Sequence, residues 1–205
     1  MTFEGGEGAG KSTQVKRLVA RLEAAGHEVV ATREPGGSPG AEAIRDIVLK
    51  GAADRWSPVT ETLLMYAARR DHIERVIRPA LDRGAWVVCD RFADSTRAYQ
   101  GGAGGVDPGL IAALETHILA EVRPDLTLVF DLPPEVGLRR ATERAGAEMR
   151  FESKGLAFHQ RLRDAFAIIA AAEPERCVVI DGTGSIDAVA DAVWAAVSER
   201  LGVDG

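Results

Sequence analysis

Asparagine is absent from the 205 residues, cysteine occurs only twice, and no apolar run approaches the roughly 20 residues that cross a bilayer. Two cysteines exclude a disulfide scaffold. Cys89 and Cys177 both stand in apolar, strand-like segments, where a reduced cysteine behaves as a small hydrophobe. Histidine is also sparse: His27, His72, His117 and His159 share no metal-ligand spacing, which argues against zinc chemistry. There is no basic excess, and a net charge of -6 argues against a nucleic-acid polymer as partner. A small anion needs only a local basic pocket. Nothing at the amino end resembles a signal peptide, so the expectation is a soluble, cytoplasmic protein with no membrane partner. No internal repeat or low-complexity linker appears. At 46% hydrophobic and 27% charged, the composition describes one globular domain over residues 1–205 with enough apolar content for a full core.

Glycine, in contrast, is concentrated where it carries chemistry. Gly5, Gly6, Glu7, Gly8, Ala9, Gly10, Lys11 and Ser12 fit G-x-x-x-x-G-K-[ST], with Thr13 next in the helix-like run that follows. The glycines let successive backbone N–H groups turn inward, and the helix directs its positive end at the same point. Phosphate oxygens suit that nest, so the pattern implies a nucleoside triphosphate. Lys11 is placed to bridge the β- and γ-phosphates, and the Ser12 hydroxyl to meet the magnesium ion (Mg2+) that accompanies ATP. Guanine-binding switches share this loop but carry Asn-Lys-x-Asp, and this chain has neither asparagine nor Lys-x-Asp.

Short apolar runs alternate with helical patterns, which is the mark of an α/β fold with a parallel sheet covered by helices. The strand runs are the segment ending at Thr2-Phe3, then 29–32, 86–90, 126–131 and 177–181. Helices are predicted over 11–25, 40–50, 59–83, 107–122, 134–144, 155–173 and 185–201, with Ser57-Pro58 and Asp107-Pro108 as starts. Only Met1, Thr2 and Phe3 precede Glu4, fewer than the about five residues of a buried strand, so the natural strand is expected to begin upstream. Gly101-Gly102-Ala103-Gly104-Gly105 reads as a flexible surface loop.

Three strand-end carboxylates, Asp90, Asp131 and Asp181, compete for the magnesium side of the phosphate loop, and spacing alone does not choose among them. Asp90 is favoured because Arg91 follows it at the sheet edge where ligands bind in open α/β folds. Arg140 and Arg144 are four apart, hence on one helix face, and Arg150 lies beyond a break at Gly146. That cluster is either a solvated helix end or a mobile lid whose arginines stabilise a transferring phosphoryl group.

An ordered set of motifs behind the phosphate loop is similar to bacterial thymidylate kinases, P-loop nucleoside monophosphate kinases. It comprises Thr32-Arg33-Glu34-Pro35-Gly36-Gly37, Tyr66-Ala67-Ala68-Arg69-Arg70, Asp90-Arg91-Phe92, Ser95-Thr96-Arg97-Ala98-Tyr99-Gln100-Gly101 and Arg123-Pro124-Asp125-Leu126-Thr127. The resemblance covers nearly the whole chain. It implies a three-layer P-loop kinase fold with a five-stranded parallel sheet flanked by helices, a homodimer, and transfer of the γ-phosphoryl group of ATP to dTMP. Within it, Lys11 and its loop hold the ATP phosphates, Ser12 and Asp90 lie near magnesium, and Arg91 stands between donor and acceptor phosphates. Glu7, Arg33, Pro35, Met65, Arg69, Ser95, Thr96, Tyr99 and Gln100 fall on the dTMP side. Arg69 matches the arginine that reads the thymine ring, and a guanidinium, which only donates, suits the O4 acceptor of thymine and not the amino group of cytosine. Tyr99 matches the tyrosine beside the sugar's 2′ carbon.

Two departures stand out. Met65 replaces the aromatic that commonly stacks on the base, with Tyr66 turned about 100° from it on a helix. Met149 replaces the acid often found before the second lid arginine. A lid at about 144–153 is expected to supply Arg144 and Arg150, with Arg140 in reserve. The turn Gly182-Thr183-Gly184 after Asp181 is the expected adenine neighbour. A kinase for another monophosphate and an inactive scaffold are the rival readings.

Overall fold

The structure, a computed structural model, describes residues 1–52, 54–143, 150–151 and 153–203. Five apolar runs become strands among them: β1 (Thr2–Gly5), β2 (Val29–Arg33), β3 (Trp86–Asp90), β4 (Thr127–Asp131) and β5 (Cys177–Asp181). They form one sheet in the order β2-β3-β1-β4-β5, with every pairing parallel. Parallel strands need crossovers, and the intervening segments supply them as helices on both faces. The register brings Arg33 level with Asp90, and Asp131 level with Asp181, so the carboxyl ends share one edge.

Alternate side chains of each strand feed opposite layers. Phe3, Val88, Leu128, Phe130 and Ile180 pack under α1 (Lys11–Ala24) and α9 (Ile186–Leu201), against Leu18, Leu22, Val193 and Val197. Val87 and Val129 face the other way. They meet Ile73, Ile77 and Phe92 in one cluster, and Tyr99, Phe158, Leu162 and Phe166 in another. These last three come from α8 (Leu156–Ala172). The Phe3 and Phe130 rings stack at 5.5 Å. Full burial of side chains of this size is worth about 1.5–3 kcal/mol each. Cys89 and Cys177 are buried and free, small hydrophobes within these layers.

Helix starts follow local chemistry. Ser38 and Ser57 accept from Ala41 N and Thr60 N, with Pro39 and Pro58 opening α2 (Pro39–Leu49) and α3 (Pro58–His72). The helix expected over 59–83 is α3, a π-helical turn Ile73–Ile77, and α4 (Arg78–Asp82). Pro79 has no N–H for the carbonyl of Arg75 and would crowd it, and a widened turn just upstream relieves that clash.

The glycine cluster read as a surface loop is largely helical. A short α5 (Ala93–Thr96) runs into a π-helical stretch, Arg97–Ala103, before α6 (Pro108–Ile118). Its glycines serve packing rather than flexibility. A Cβ on Gly102 would lie 2.4 Å from Ala165 Cβ on α8, and one on Gly101 would lie 3.0 Å from Ile111 Cδ1 on α6. Beneath this segment Asp94 is buried and accepts from Arg176 at 2.7 and 2.9 Å, tying α5 to the foot of β5. Arg97 joins Glu115 of α6 at 2.5 Å.

Glu4 of β1 is fully buried and accepts from Phe92 N and from Ser95 Oγ, each at 2.6 Å. Burial, and then the nearby Asp94, raises its carboxyl from 4.5 to about 8. A raised carboxyl pKa means that the folded chain holds the proton more tightly than the unfolded one. That stability is complete below about 4.5 and is lost as pH rises through about 8.

Two measurements check this packing. Gly102→Val is expected to destabilise the fold by about 1–3 kcal/mol through overlap with Ala165, seen as a lower melting temperature. Glu4→Gln removes the titration, so urea unfolding should show the variant gaining on the parent between pH 5.5 and 8.5. A constant difference across that range would be inconsistent with the raised carboxyl.

Candidate active site

The phosphate loop is built where β1 stops and α1 starts. Gly8 and Gly10 have φ of 67° and 87°, the left-handed region that suits glycine. A Cβ on Gly8 would sit 2.0 Å from the carbonyl oxygen of Gly137, and one on Gly137 would sit 2.3 Å from that of Glu7. The loop therefore lies directly against α7 (Pro134–Glu143), whose Gly137 the sequence reading did not single out. Gly10 caps α1 without a side-chain hydrogen bond, so no side chain competes for the first N–H groups of the helix.

Lys11 reaches back across the loop, with Nζ donating to Gly5 O at 3.1 Å and Gly6 O at 2.8 Å. Ser12 Oγ donates to Asp90 Oδ2 at 2.6 Å. The other two strand-end acids are engaged elsewhere. Asp131 accepts a two-pronged pair from Arg163, and Asp181 caps its own turn at Thr183. A hydroxyl and a carboxylate in contact are hard oxygen donors that fit Mg2+, which takes one or two protein ligands and fills its shell with phosphate and water. Among the described residues no cluster of three His, Cys, Asp or Glu side chains could hold a metal.

Arg91 leaves β3 with φ 72°. That turn aims its guanidinium inward, where Nη1 donates to Gly5 O at 2.9 Å and to Ser95 Oγ at 3.2 Å, and Nη2 to Glu7 Oε1 at 3.1 Å. Tyr99 Oη donates to the same Glu7 oxygen. Burial pushes the Glu7 carboxyl up, but Arg91 and then Lys11 outweigh it and hold the carboxyl down at about 2. Burial, and then Arg91, lowers the Lys11 ammonium to about 8. Two cations thus face one small space, a cost that an arriving polyanion removes.

Beyond Arg91 a recess of about 170 Å³ opens. It is lined by Glu7, Pro35, Met65, Arg69, Arg91, Ser95, Thr96, Tyr99 and Gln100, all named above from the sequence. Glu34, Arg45, Leu49, Phe92 and Phe151 also line it and were missed. Glu34 had a signal, since it lies between two named residues in the Thr32–Pro35 motif. It is buried, accepts from Arg69 Nε at 2.7 Å, and pairs with His72 Nδ1 at 2.9 Å. Arg69 Nη2 donates to Phe92 O and Thr96 Oγ1, while Nη1 is buried without a partner. The Thr96 hydroxyl therefore braces the arginine. Ser95 likewise serves Glu4 and Arg91. Met65 is in the recess, and Tyr66 turns to Glu115 with its ring 4.8 Å from the Arg69 guanidinium.

Arg33 is placed apart. It pairs with Glu42 at 3.1 Å and lines a neighbouring cleft with Lys11, Ser12 and Asp90 instead of the recess. Arg144 lies outside the described residues. Arg150, expected among the phosphates, is buried against α3, where its guanidinium pairs with Glu61 and donates to the carbonyls of Val48 and Ala52. The reason is electrostatic, because Glu61 is a buried carboxylate that needs a cation. The Gly182 turn packs beside the loop, a Cβ there lying 3.7 Å from Ala9 O, and Arg140 donates to Gly182 O.

Residues 3–193 match the family model described as thymidylate kinase. The chain is 68% identical to the thymidylate kinase of Caulobacter vibrioides over 203 residues, covering 99% of this chain and 97% of that one. Against the thymidylate kinase of Bradyrhizobium sp. strain ORS 278 it is 58% identical, covering 98% and 90%. Among solved structures, the thymidylate kinase from Ehrlichia chaffeensis superposes with a TM-score of 0.78 at 34% identity, covering 96% of each chain. A family match over this span, joined to relatives identical at more than half of their positions, means that the chain belongs to the thymidylate kinase family.

Proposed function

We propose that this chain transfers the γ-phosphoryl group of ATP to dTMP, giving dTDP and ADP for DNA precursor synthesis. One observation carries the reading: the phosphate-loop cleft and the Arg69 recess adjoin, with Arg91 lining both. A donor triphosphate on Lys11 and an acceptor monophosphate in the recess then meet end to end.

The geometry and the family resemblance together support the following roles. Gly5 to Thr13 cradle the donor phosphates, Lys11 and Arg91 neutralise charge as it shifts between them, and Ser12 with Asp90 holds Mg2+. When bound, that ion screens the phosphate oxygens. Glu7 and Ser95 orient Arg91, while Pro35, Met65, Arg69, Thr96 and Gln100 hold the base. Tyr99 stands where a ribose 2′ hydroxyl would need room. No general base is required, because a phosphate monoester has a second pKa of about 6 and its attacking oxygen is already mostly ionised at neutral pH. The work is to position two polyanions and offset their repulsion. We keep Arg144, which lies outside the described residues, as a candidate phosphate-side arginine, set Arg33 on the approach to the two clefts, and read residues 1–205 as one kinase domain. Exposed Val59 and Leu63, four apart on α3, offer an apolar stripe for a homodimer. Among the described residues no helix is long and apolar enough to cross a membrane, which suits a cytoplasmic enzyme.

Coupled ADP release with a panel of monophosphates tests the reading, and dTMP is expected to give the highest kcat/KM. Only one methyl separates dUMP from it, so dUMP should be poorer by roughly 10- to 200-fold. A higher rate with UMP, CMP or AMP would overturn the substrate, and no turnover with any acceptor would overturn the activity. Arg91→Ala should lower kcat by at least about a hundredfold while the folded protein persists; near-parental turnover would remove Arg91 from its role.

A further inference from the structure

Glu61 of α3 does not line the recess, yet it holds one of its walls. Its carboxylate is buried, with one oxygen paired to Arg150 and the other accepting from Gln100 Nε2 at 2.8 Å. Arg150 is itself buried and supplies the counter-charge that a carboxylate in such a place requires. An amide side chain is ordinarily free to present either end. A carboxylate, however, only accepts, so only the NH2 end of Gln100 can face Glu61. The carbonyl Oε1 is then the end that Gln100 offers to the recess it lines. Arg69, which lines the same recess, can only donate.

We propose that Glu61 is a specificity-determining positioning residue: by fixing the Gln100 amide it makes the recess present a donor from Arg69 next to an acceptor from Gln100. That order complements the O4 and N3–H of thymine or uracil. Cytosine shows the reverse, a donor amino group and an acceptor N3, and would leave both protein groups facing their like. Discrimination between dTMP and dCMP therefore resides partly in a residue that touches neither. Arg150 contributes by occupying the other oxygen of Glu61. The proposal rests on the reading of the recess as the thymine site.

Glu61→Gln in the full-length enzyme tests it, because a neutral amide at that position accepts either end of Gln100. The ratio of kcat/KM for dTMP to that for dCMP should fall by about tenfold or more, with kcat/KM for dCMP itself rising. The double variant Glu61→Gln, Arg150→Gln, which removes both buried charges, should show the same shift and serves if the single variant folds poorly. A folded variant that loses activity on both substrates in parallel, with the ratio unchanged, overturns the proposal. So does a crystal structure of the parent enzyme with dTMP in which Gln100 has swung off Glu61. Contact of Gln100 with both Glu61 and N3 supports it. A parent enzyme that does not prefer dTMP to dCMP would instead overturn the thymine reading.

Discussion

The contact between Arg91 and Glu7 is the interaction on which the site depends. Two cations and a carboxylate share the crook where β1 and β3 end. Lys11 and Arg91 repel one another, and the Glu7 carboxylate between them offsets that repulsion. The fold reaches this state through backbone geometry: the left-handed turn at Arg91 bends its side chain back to the carbonyl of Gly5. Preorganised charge of this kind lowers a barrier because no reorganisation is needed when charge moves.

Buried glutamates extend the same device outward. Glu4 fixes the chain after Arg91 through Phe92 N and Ser95. Glu34 holds Arg69, and Glu61 holds Gln100 and Arg150. Each is costly alone and tolerable only because it is satisfied by hydrogen bonds or paired. The result is a recess whose polar groups have little freedom to turn, which is what reading a base by hydrogen bonds demands. Removing any of these acids strands a buried partner, so their effects on activity and stability are coupled.

Most of the recess was legible because its residues fall in the short motifs that resemble the family, Tyr66 to Arg70, Asp90 to Phe92 and Ser95 to Gly101 among them. Glu34 was passed over inside a motif that had been named, whereas Glu61 escaped notice since neither type nor spacing distinguishes a buried acid from a solvated one on a helix. Gly101 to Gly105 misled for the same reason. Glycine marks either freedom or close approach, and here Ala165 of α8 and Ile111 of α6 show which. The π-helical turn ahead of Pro79 was hidden inside an unbroken helical period.

Contiguous chemistry was enough for the phosphate loop, since its cradle is made of neighbouring backbone N–H groups, and for the alternation that builds a parallel sheet. Arg91 beside Asp90 favoured that acid over Asp131 and Asp181 locally, but its contact with Ser12 is not local. That contact comes from strand order, which sets β3 beside β1 and so brings Asp90 to Ser12, 78 residues away in the chain. Arg150 was likewise drawn to Glu61, 89 residues distant, by the need to neutralise a carboxylate removed from water. Such partners are chosen by packing and by the energy of buried charge, neither of which is written in the spacing of residues along the chain.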